Sequence, residues 1–348
     1  MSDEKKLLIS EARLLSDEHF LRRVAQMYYE DDQTQDTIAE TLYCSRATVG
    51  KALQRAKERH IVRITVAPDE RSGYLRNLAR QGRTRLGLDD LVLVTGQESN
   101  TFSRADNDER EEVIVAIARA AHEYLDEMLT DTDTLAVSGG RRFLRNVVSH
   151  ARPTKRLPHL RVVATIGSVD VHSNYGDANL IAYDLAAMYG ADYTWFPCPA
   201  FMKNAEQVQH ARNMPVIEDA YALMQQATIM LTSLWIPDLE SLAGQGILGL
   251  DVLHMLKSSY HPVADINHWL LDASGNCITE LMDPPPYYLS GLEFSTLQAR
   301  VKRRETRTMM VVGGDSAYAP AIRAAIRAGI VNILVTDHLT AGALMELE

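Results

Sequence analysis

The apolar and polar positions of the chain follow two different patterns. Up to about residue 88, apolar residues recur at helical spacing, whereas from Leu91 onward short apolar runs alternate with helical segments. Apolar residues three and four positions apart form one face of a helix, and short runs of Val, Ile and Leu are typical of buried strands. The sequence therefore predicts a helical N-terminal domain followed by a larger α/β domain.

The fold class of the larger domain follows from the alternation of strands and helices. The apolar runs predict seven strands, at 91–94, 134–137, 161–166, 193–196, 228–232, 309–312 and 330–336. Helical patterns lie between them, at 109–129, 179–190, 216–226, 239–257 and 318–328. Continuous Val, Ile and Leu strands that alternate with helices indicate a mainly parallel α/β sheet covered on both faces.

The N-terminal domain is predicted to be a winged helix-turn-helix. Two short helices begin at Thr34 and Ser45, whose hydroxyls can accept hydrogen bonds from first-turn amides. Their buried stripes are Ile38, Ala39 and Leu42 in the first helix and Val49, Ala52, Leu53 and Ala56 in the second. A helix over 16–30 precedes them, and the alternating segment 60–66 is predicted to form the wing. In such a unit the second helix lies in the major groove of DNA.

The outer face of the second helix carries the candidate DNA contacts. Arg46 can pair bidentately with a guanine, and Thr48 can contact a thymine methyl. Lys51 and Arg55 suit phosphates. The predicted DNA-binding residues are Thr34, Gln35, Ser45, Arg46, Ala47, Thr48, Lys51, Arg55 and, facing out from the wing, Arg63. The alternative is an ordinary basic surface helix, which the agreement of caps, apolar stripe and wing disfavours.

The net charge supports this interpretation only when the chain is divided. The 348 residues carry a net charge of −10, which alone argues against nucleic acid binding. Residues 1–66 contain eleven basic and eleven acidic residues, so the rest of the chain carries the whole negative charge. Within 45–63, six cations stand against one acid. Such local positive charge is typical of a DNA-binding module on an acidic protein.

Composition argues against several other classes of protein. Hydrophobic residues make up 46% of the chain and charged residues 24%, which is ordinary for a globular protein. No apolar run approaches the roughly 20 residues that span a bilayer, and the N-terminus does not read as a signal peptide, so we expect a cytoplasmic protein. Cys44, Cys198 and Cys277 lie far apart, which argues against disulfides and a zinc site. The sequence calls for no metal and no cofactor.

Two predicted strands end in glycine pairs. The segments after these strands are Ser138-Gly139-Gly140-Arg141-Arg142 and Gly313-Gly314-Asp315. In a parallel sheet the ligand lies beyond the carboxyl ends of the strands, and glycines admit an anion close to backbone N–H groups. Each pair alone is a weak signal, because a glycine after a strand usually makes a tight turn. Together they favour a small, polar, anionic ligand.

These residues resemble the SorC family of sugar-responsive bacterial transcription regulators. The matching residues of the N-terminal part are Tyr28, Tyr29, Thr34, Gln35, Ile38, Ala39, Leu42, Ser45, Arg46, Val49, Leu53, Ala56, Ile61 and Val62. The matching segments of the remainder are 179–199, 261–266 with 272–275, and 313–338. The resemblance spans nearly the whole chain and is strongest at its two ends.

The resemblance implies a DNA-binding domain joined to an effector domain. We expect the winged helix-turn-helix at 1–68, a helical connector at 69–88, and an effector domain at 89–348 that resembles sugar-phosphate isomerases and glucosamine-phosphate deaminases. Family members are usually tetramers that release or rearrange on operator DNA when a phosphorylated sugar binds. The implied and predicted effector-binding residues are Ser138, Gly139, Gly140, Arg141, Arg142, Asn179, Asp265, Gly313, Gly314 and Asp315.

Three departures from the family pattern concern the ligand. The first loop has a glycine pair where the family has Trp-Gly and a hydroxyl residue, and Ala317 stands where the family has a Lys. The segment 232–235 replaces a Gly-Ile-Gly strand end. The missing Lys removes a point charge, while Arg141 and Arg142 can restore bidentate recognition. A carboxylated or unphosphorylated sugar derivative therefore stands beside a sugar phosphate as the candidate effector.

The leading hypothesis is a regulator of a carbohydrate catabolic operon, controlled by a small sugar or sugar derivative. Its expected partners are double-stranded operator DNA, the effector and further copies of itself, as a dimer or tetramer, and no membrane. The alternative is an active enzyme of the sugar-phosphate isomerase or deaminase type, which needs a general base. Asp265, His261 and His338 are available, but no compact acid/base group is visible in the sequence. We therefore expect that the protein is not an enzyme.

Overall fold

The computed structural model describes residues 11–59, 61–62, 71–97, 104–169 and 176–347. The chain divides into two compact units, Met1–Asp69 and Glu70–Glu348. Each unit has a hydrophobic core of its own. Within the described ranges, no helix combines the length and the apolar character needed to cross a membrane.

The first unit is built from helices. Its helices are α1 Glu11–Leu14, α2 Glu18–Tyr29, α3 Gln35–Thr41 and α4 Arg46–Glu58. The side chains of Asp17, Thr34 and Ser45 cap the N-termini of α2, α3 and α4, because each accepts a hydrogen bond from an amide of the first turn. A cap of this kind contributes about 1 kcal/mol. The predicted caps at Thr34 and Ser45 are therefore confirmed.

The core of the first unit consists largely of the predicted apolar stripes. α2 and α3 both pack against α4. The buried apolar residues are Leu15, Leu21, Val24, Ala25, Met27, Ile38, Ala39, Val49, Ala52, Leu53 and Ala56. Full burial of a Leu, Ile or Val contributes about 1.5–3 kcal/mol, so this small core holds the helices in place. The predicted wing over 60–66, including Arg63, lies outside the described residues except for Ile61 and Val62, which pack against this core.

The second unit alternates strands and helices. Its strands are β1 Asp90–Val94, β2 Thr134–Val137, β3 Arg161–Ala164, β4 Asp192–Thr194, β5 Phe201–Met202, β6 Ile229–Thr232, β7 Ala264–Ile266, β8 Trp269–Leu271, β9 Tyr288–Leu289, β10 Arg307–Val311 and β11 Ile333–Asp337. Its helices are α5 Arg71–Leu86, α6 Arg104–Met128, α7 Leu144–His150, α8 Ala178–Tyr189, α9 Ala205–Arg212, α10 Pro215–Gln225, α11 Leu239–Gly244, α12 Leu250–Met255, α13 Ile278–Leu281, α14 Phe294–Lys302, α15 Ala319–Arg327 and α16 His338–Glu346. A π-helical turn lies at Leu256–Tyr260 and a 3-10 turn at Ser316–Tyr318.

Seven strands form one parallel sheet in the order β1-β11-β10-β6-β2-β3-β4. They are the seven strands that the apolar runs predicted, so the α/β fold class with a parallel sheet is confirmed. β2, β6 and β11 are buried at every residue, as expected of strands covered on both faces. Because the strands all run in one direction, their carboxyl ends share one edge of the sheet.

Three segments of the second unit differ from the sequence-based expectation or were missing from it. The helix predicted over 239–257 is broken into α11, α12 and the π turn, because Gly246 takes a φ of 74° just after α11. The antiparallel pairs β5–β9 and β7–β8 were not predicted, since strands of two or three residues are too short to show a pattern. Helix α5, in the segment expected to connect the domains, packs against β1 and α16.

Asn179 joins helix α8 to the edge of the sheet. Its side chain is fully buried, and Oδ1 accepts hydrogen bonds from the amide of Phe196 at 2.9 Å and the hydroxyl of Tyr193 at 3.2 Å. Its Nδ2 donates to the carbonyl of Phe196 at 3.2 Å. Both polar ends are satisfied within the fold. The prediction that Asn179 contacts the effector is therefore corrected to a structural role.

We expect Asn179→Ala to destabilise the protein by about 1–3 kcal/mol, because it leaves the buried amide of Phe196 without a partner, whereas the Phe196 carbonyl keeps its bond from the Cys198 amide. The midpoint of urea unfolding measures this loss. Asn213→Ala is the matched control, since Asn213 is exposed and its loss should change stability by no more than about 0.5 kcal/mol. An Asn179→Ala protein that unfolds at the wild-type urea concentration would contradict the structural role.

Candidate functional site

The outer face of α4 in the first unit is the first candidate site. Arg46, Ala47 and Lys51 are exposed on its N-terminal half. Ala39, at 8% exposure, and the fully buried Val49 belong to the same core, where α3 packs against α4. A small residue at such a position lets the second helix cross closely and leaves its N-terminal end free to enter a major groove.

Thr48 does not face outward as predicted. It is 5% exposed, and its Oγ1 lies 2.8 Å from the Oγ of Ser45, which also accepts a hydrogen bond from the Thr48 amide at 3.0 Å. The prediction that Thr48 contacts a thymine methyl is wrong, because the cap of α4 turns the side chain inward. The side chain of Ser45 is used by the same cap.

Arg55 has a contact inside the first unit. Its Nη1 donates to the carbonyl of Leu15 at 3.0 Å, and Nη1 of Arg59 donates to the carbonyl of Ser16 at 3.2 Å. These bonds tie the C-terminal half of α4 to the segment before α2. Arg55 therefore stabilises the unit, beside the phosphate contact predicted for it.

Arg46 forms an ion pair with Asp36 of α3. The Nη1 to Oδ2 distance is 3.6 Å, and the two side chains are 69% and 65% exposed. An exposed pair of this kind contributes about 0–1 kcal/mol, so a duplex can draw the guanidinium away at little cost. The structure brings Thr34, Gln35 and Arg46 together around one shallow depression at this end of α3.

A second candidate site lies at the carboxyl edge of the parallel sheet. A cavity of about 240 Å³ opens there, between the loops after β2 and β3, the start of α8, the residues after β6 and the turn between β7 and β8. Its lining residues are Gly139, Gly140, Arg141, Arg142, Ile166, Gly167, Val169, Gly176, Asp177, Ala178, Trp235, Asn267 and His268. Pockets for drug-sized ligands measure roughly 300–1,000 Å³, so this cavity suits a smaller molecule.

The glycines of the loop after β2 allow close backbone packing. The amide of Gly140 donates to the carbonyl of Gly176 at 2.9 Å, and a Cβ on Gly139 would lie 2.9 Å from the same carbonyl. The Gly140 amide is therefore occupied. The expectation that this amide helps to cradle an anion is corrected: the glycine pair brings the end of β2 against the segment before α8.

Positive charge in the cavity comes from the side chains of Arg141 and Arg142. Nη2 of Arg142 lies 3.8 Å from Oε1 of Glu111 in α6, and these side chains are 41% and 60% exposed. So long and exposed an ion pair is weak, which leaves the guanidinium able to turn toward an anionic ligand. Guanidinium groups bind carboxylates and phosphates bidentately. The two arginine side chains can therefore bind an anion, although the Gly140 amide cannot.

The turn between β7 and β8 supplies polar groups to the cavity. Asn267 and His268 have φ values of 53° and 64°, as in a two-residue type I′ turn. Asn267 is 2% exposed, and its Oδ1 accepts a hydrogen bond from Thr165 at 2.7 Å, whereas its Nδ2 has no hydrogen-bond partner. Nδ1 of His268 also has none. Buried polar groups without partners are rare and need an explanation, which a polar ligand would provide.

Asp265 lies behind His268 and does not line the cavity. It is 7% exposed, its Oδ2 lies 3.8 Å from Nδ1 of His268, and its backbone pairs in both directions with that of Trp235 at 2.9 Å. Burial, with the charge of Asp265, raises the pKa of Tyr287 well above its ordinary value. The Tyr287 hydroxyl therefore keeps its proton and donates to the carbonyl of His268 at 2.7 Å. The predicted direct contact of Asp265 with a ligand hydroxyl is corrected to a supporting position.

Ser138 is also occupied inside the fold. It is fully buried, its Oγ lies 3.0 Å from Oγ1 of Thr232, and it does not line the cavity.

Three residues that line the cavity, Trp235, Asn267 and His268, were not among the effector-binding residues predicted from the sequence. The one local signal was Asn267 itself, since Asn tolerates the left-handed region that a tight hairpin needs, but the flanking strands are too short to show a pattern. Trp235 gave no signal beyond its place after a strand.

The second glycine pair lies at a different cavity. β6 separates β2 from β10 in the sheet, and Gly314 and Asp315 line a separate space of about 630 Å³. The amide of Gly314 donates to Oδ2 of Asp337 at 2.6 Å, and Asp315 lies 3.7 Å from Arg110. A Cβ on Gly313 would also lie 2.7 Å from that carboxylate. The expectation that both glycine pairs hold one ligand is therefore wrong.

Several titratable groups away from these cavities are structural. The three cysteines are free, and burial raises the pKa of Cys277 to about 12, so it stays a thiol. Burial lowers the pKa of His122, whose Nε2 accepts a hydrogen bond from the Arg152 amide at 2.8 Å. In the part of the chain that the structure describes, no group of three or more His, Cys, Asp or Glu side chains could hold a metal ion.

The chain is similar to a family of sugar-binding domains and to several proteins that are named as bacterial regulators. The family model described as "Putative sugar-binding domain" matches residues 74–346. The deoxyribonucleoside regulator of Bacillus subtilis is 26% identical over 92% of this chain and 95% of its own length, and the sorbitol operon regulator of Klebsiella pneumoniae is 24% identical over 93% and 96%. The full-length structure of the sorbitol operon regulator SorC from Klebsiella pneumoniae has a TM-score of 0.69 at 22% identity, over 94% of this chain and 98% of that one.

The structural likeness covers both units and supports the fold assignment. The family match covers well over half of the chain, including every residue that lines the sheet-edge cavity. The resemblance to SorC-type regulators expected from the sequence is confirmed by these neighbours. The protein therefore belongs to the sugar-binding domain family that this model describes.

Proposed function

We propose that this protein is a transcriptional regulator of a carbohydrate catabolic operon, which binds operator DNA with its first unit and a small carbohydrate effector with its second. One observation carries the proposal: a helix-turn-helix with an exposed cationic helix is joined to a sheet-edge cavity that holds unsatisfied polar groups. The two relatives described above are both named as regulators, and they match more than nine-tenths of the chain.

In the proposed complex with DNA, α4 lies in the major groove. Arg46 reads base edges, Ala47 contacts the groove, and Lys51 pairs with a phosphate. Thr34 and Gln35 lie at the start of α3 near Arg46, where amides and polar side chains suit the phosphates beside the groove. Arg63 lies outside the described residues, and its contact with DNA from the predicted wing remains part of the proposal.

In the proposed effector complex, the ligand occupies the cavity beside Trp235. Arg141 and Arg142 pair with its anionic group, while Asn267 and His268 provide hydrogen bonds to its hydroxyls. A sugar phosphate and a sugar carboxylate both meet these requirements. The space at Gly314 and Asp315 is separate, and it is not needed for this ligand.

We propose binding without turnover. Asp265, one of the three groups that were available for a catalytic role, does not line the cavity and lies 3.8 Å from His268, which does. A general base must come within hydrogen-bonding reach of the proton that it removes. We further propose that the regulator works in the cytoplasm as a homo-oligomer, either a dimer or a tetramer. The first units of two subunits would then bind the two half-sites of one operator.

The proposed function predicts selective retention of DNA by the full-length protein. Among duplex fragments of its own genome, it should retain a small set that includes the region flanking its gene, and retention should weaken as salt rises. A mobility-shift titration at several salt concentrations measures this. Retention of no fragment, or binding that salt leaves unchanged, would refute the DNA-binding role.

Arg46→Ala should weaken binding to the retained fragment by about 1–3 kcal/mol and relax base choice at one position, because a bidentate contact to a base is lost. Titrations against the fragment and its single-base variants measure both effects. Arg22→Ala is the matched control, since it removes the same charge from an exposed pair with Glu18 in the first unit. Equal losses in the two variants would contradict base reading by Arg46.

Arg141→Ala and Arg142→Ala should abolish the response to the effector while operator binding without effector stays as in wild type. A panel of sugar phosphates, sugar carboxylates and neutral sugars is titrated into each protein, with tryptophan fluorescence and release of the DNA fragment as the readouts. Arg119→Ala, at an exposed position of α6, is the control. If both cavity variants respond as wild type does, the effector lies elsewhere.

A further inference from the structure

The turn between α3 and α4 contains a tyrosine where the backbone favours glycine. The Tyr43 amide donates to the carbonyl of Glu40 at 3.3 Å, and the Cys44 amide donates to the carbonyl of Ala39 at 3.0 Å. This pair of bonds is a Schellman motif, in which the residue after the helix cap takes the left-handed region. Tyr43 has a φ of 53° accordingly.

A side chain at this position makes the turn less stable than glycine would. In the left-handed region the Cβ of an L-residue approaches the backbone too closely. Elsewhere in the described chain, left-handed glycines end α5, α8, α11 and α15, at Gly87, Gly190, Gly246 and Gly329. The chain thus uses glycine for the same geometry in these four places, whereas a non-glycine residue has it at Tyr43 between α3 and α4 and at Arg304 after α14.

Packing within the unit does not offset this loss. Tyr43 is 93% exposed, so its ring buries almost no apolar surface. It is the most exposed of the large hydrophobic side chains in the described part of the chain. A strained backbone that carries an exposed ring indicates that the side chain is retained for something outside the unit.

The position of Tyr43 indicates what that partner is. It lies two residues before Ser45, which caps α4, and three before Arg46. The N-terminal end of this helix is the end that enters the groove in helix-turn-helix complexes, with the DNA backbone on either side. Tyrosine hydroxyls are among the groups that bind phosphate oxygens in protein–DNA complexes.

We propose that Tyr43 is a further DNA contact, whose hydroxyl donates a hydrogen bond to a backbone phosphate beside the groove that α4 enters. The inference rests on the proposed DNA-binding function and adds a residue to it. It assigns Tyr43 to affinity and positioning, and not to base choice, because a phosphate contact carries no sequence information.

The test compares Tyr43→Gly and Tyr43→Phe with wild type in the full-length protein, using the genomic fragment that wild type retains. Tyr43→Gly should raise the thermal midpoint of the first unit by roughly 4 °C or more, since it removes the strain. It should also weaken binding roughly tenfold or more, the usual loss for a hydrogen bond to a charged group. Tyr43→Phe should weaken binding similarly without raising the midpoint.

Arg304→Gly is the matched control. Arg304 has a φ of 58° in the same motif after α14, with amide bonds from Arg304 to Val301 at 2.9 Å and from Glu305 to Arg300 at 2.9 Å. Its replacement should stabilise the second unit and leave DNA affinity unchanged. In Tyr43→Phe the slope of affinity against salt should also stay at the wild-type value, because a hydroxyl releases no counterion.

The outcomes separate this inference from the function on which it rests. Weaker binding by both Tyr43→Gly and Tyr43→Phe, with Tyr43→Gly at least as stable as wild type, supports the phosphate contact. Wild-type affinity in both Tyr43 variants overturns it while leaving the DNA-binding function intact, as does weaker binding by Tyr43→Gly alone, which would leave the hydroxyl without a role. Loss of stability in Tyr43→Gly overturns the strain argument. A wild-type protein that retains no genomic fragment refutes the proposed function and this inference together.

Discussion

The position of β6 between β2 and β10 is the constraint on which the candidate effector site depends. The chain leaves β6 at Trp235, whose backbone pairs in both directions with that of Asp265. This bridge brings the β7–β8 hairpin to the edge of the sheet. A Cβ on Gly140 would lie 3.5 Å from Cζ2 of Trp235, so the glycine loop after β2 also packs against the indole. One strand end therefore joins the loop and the hairpin into one cavity and separates both from the second glycine pair.

The strands and helix starts of this arrangement could be predicted from the sequence, whereas most of its side-chain contacts could not. Seven strands were predictable because parallel strands covered on both faces consist of continuous apolar runs, and the caps at Thr34 and Ser45 were predictable because capping is local chemistry. The direction of a side chain at a helix start was not, and Thr48 turned inward. Nor could the sequence show that the Gly140 amide is occupied, since its partner at Gly176 is brought there only by the fold. The short hairpin that carries Asn267 was below the length at which a pattern is visible.

Non-glycine residues in the left-handed region occur at both proposed sites. Tyr43 has this geometry in the helix-turn-helix, and Asn267 and His268 have it in the hairpin turn beside the cavity. The hairpin residues differ from Tyr43 because Asn tolerates this region and the turn type requires it at both positions. The two sites therefore share the geometry but not its cause, since the local preference is met by Asn267 and overruled at Tyr43. Positions where local and global preferences disagree are expected at functional sites, but His261 and Arg304 have the same geometry away from both proposed sites, so the geometry alone does not locate one.

Recognition of an anion by arginine side chains differs physically from recognition by backbone amides. Amides at a strand end are held in place before the ligand arrives, whereas a half-exposed guanidinium must be ordered on binding, which costs side-chain entropy. Arg142 must also leave Glu111, whose neighbour Arg110 pairs with Asp315 at the second glycine loop. An anion bound by Arg142 would therefore leave Glu111 of α6 without this ion pair. In the proposed effector complex, the binding energy is therefore linked to the loss of the Arg142–Glu111 pair, and a ligand shifts an equilibrium only through such a difference between two states.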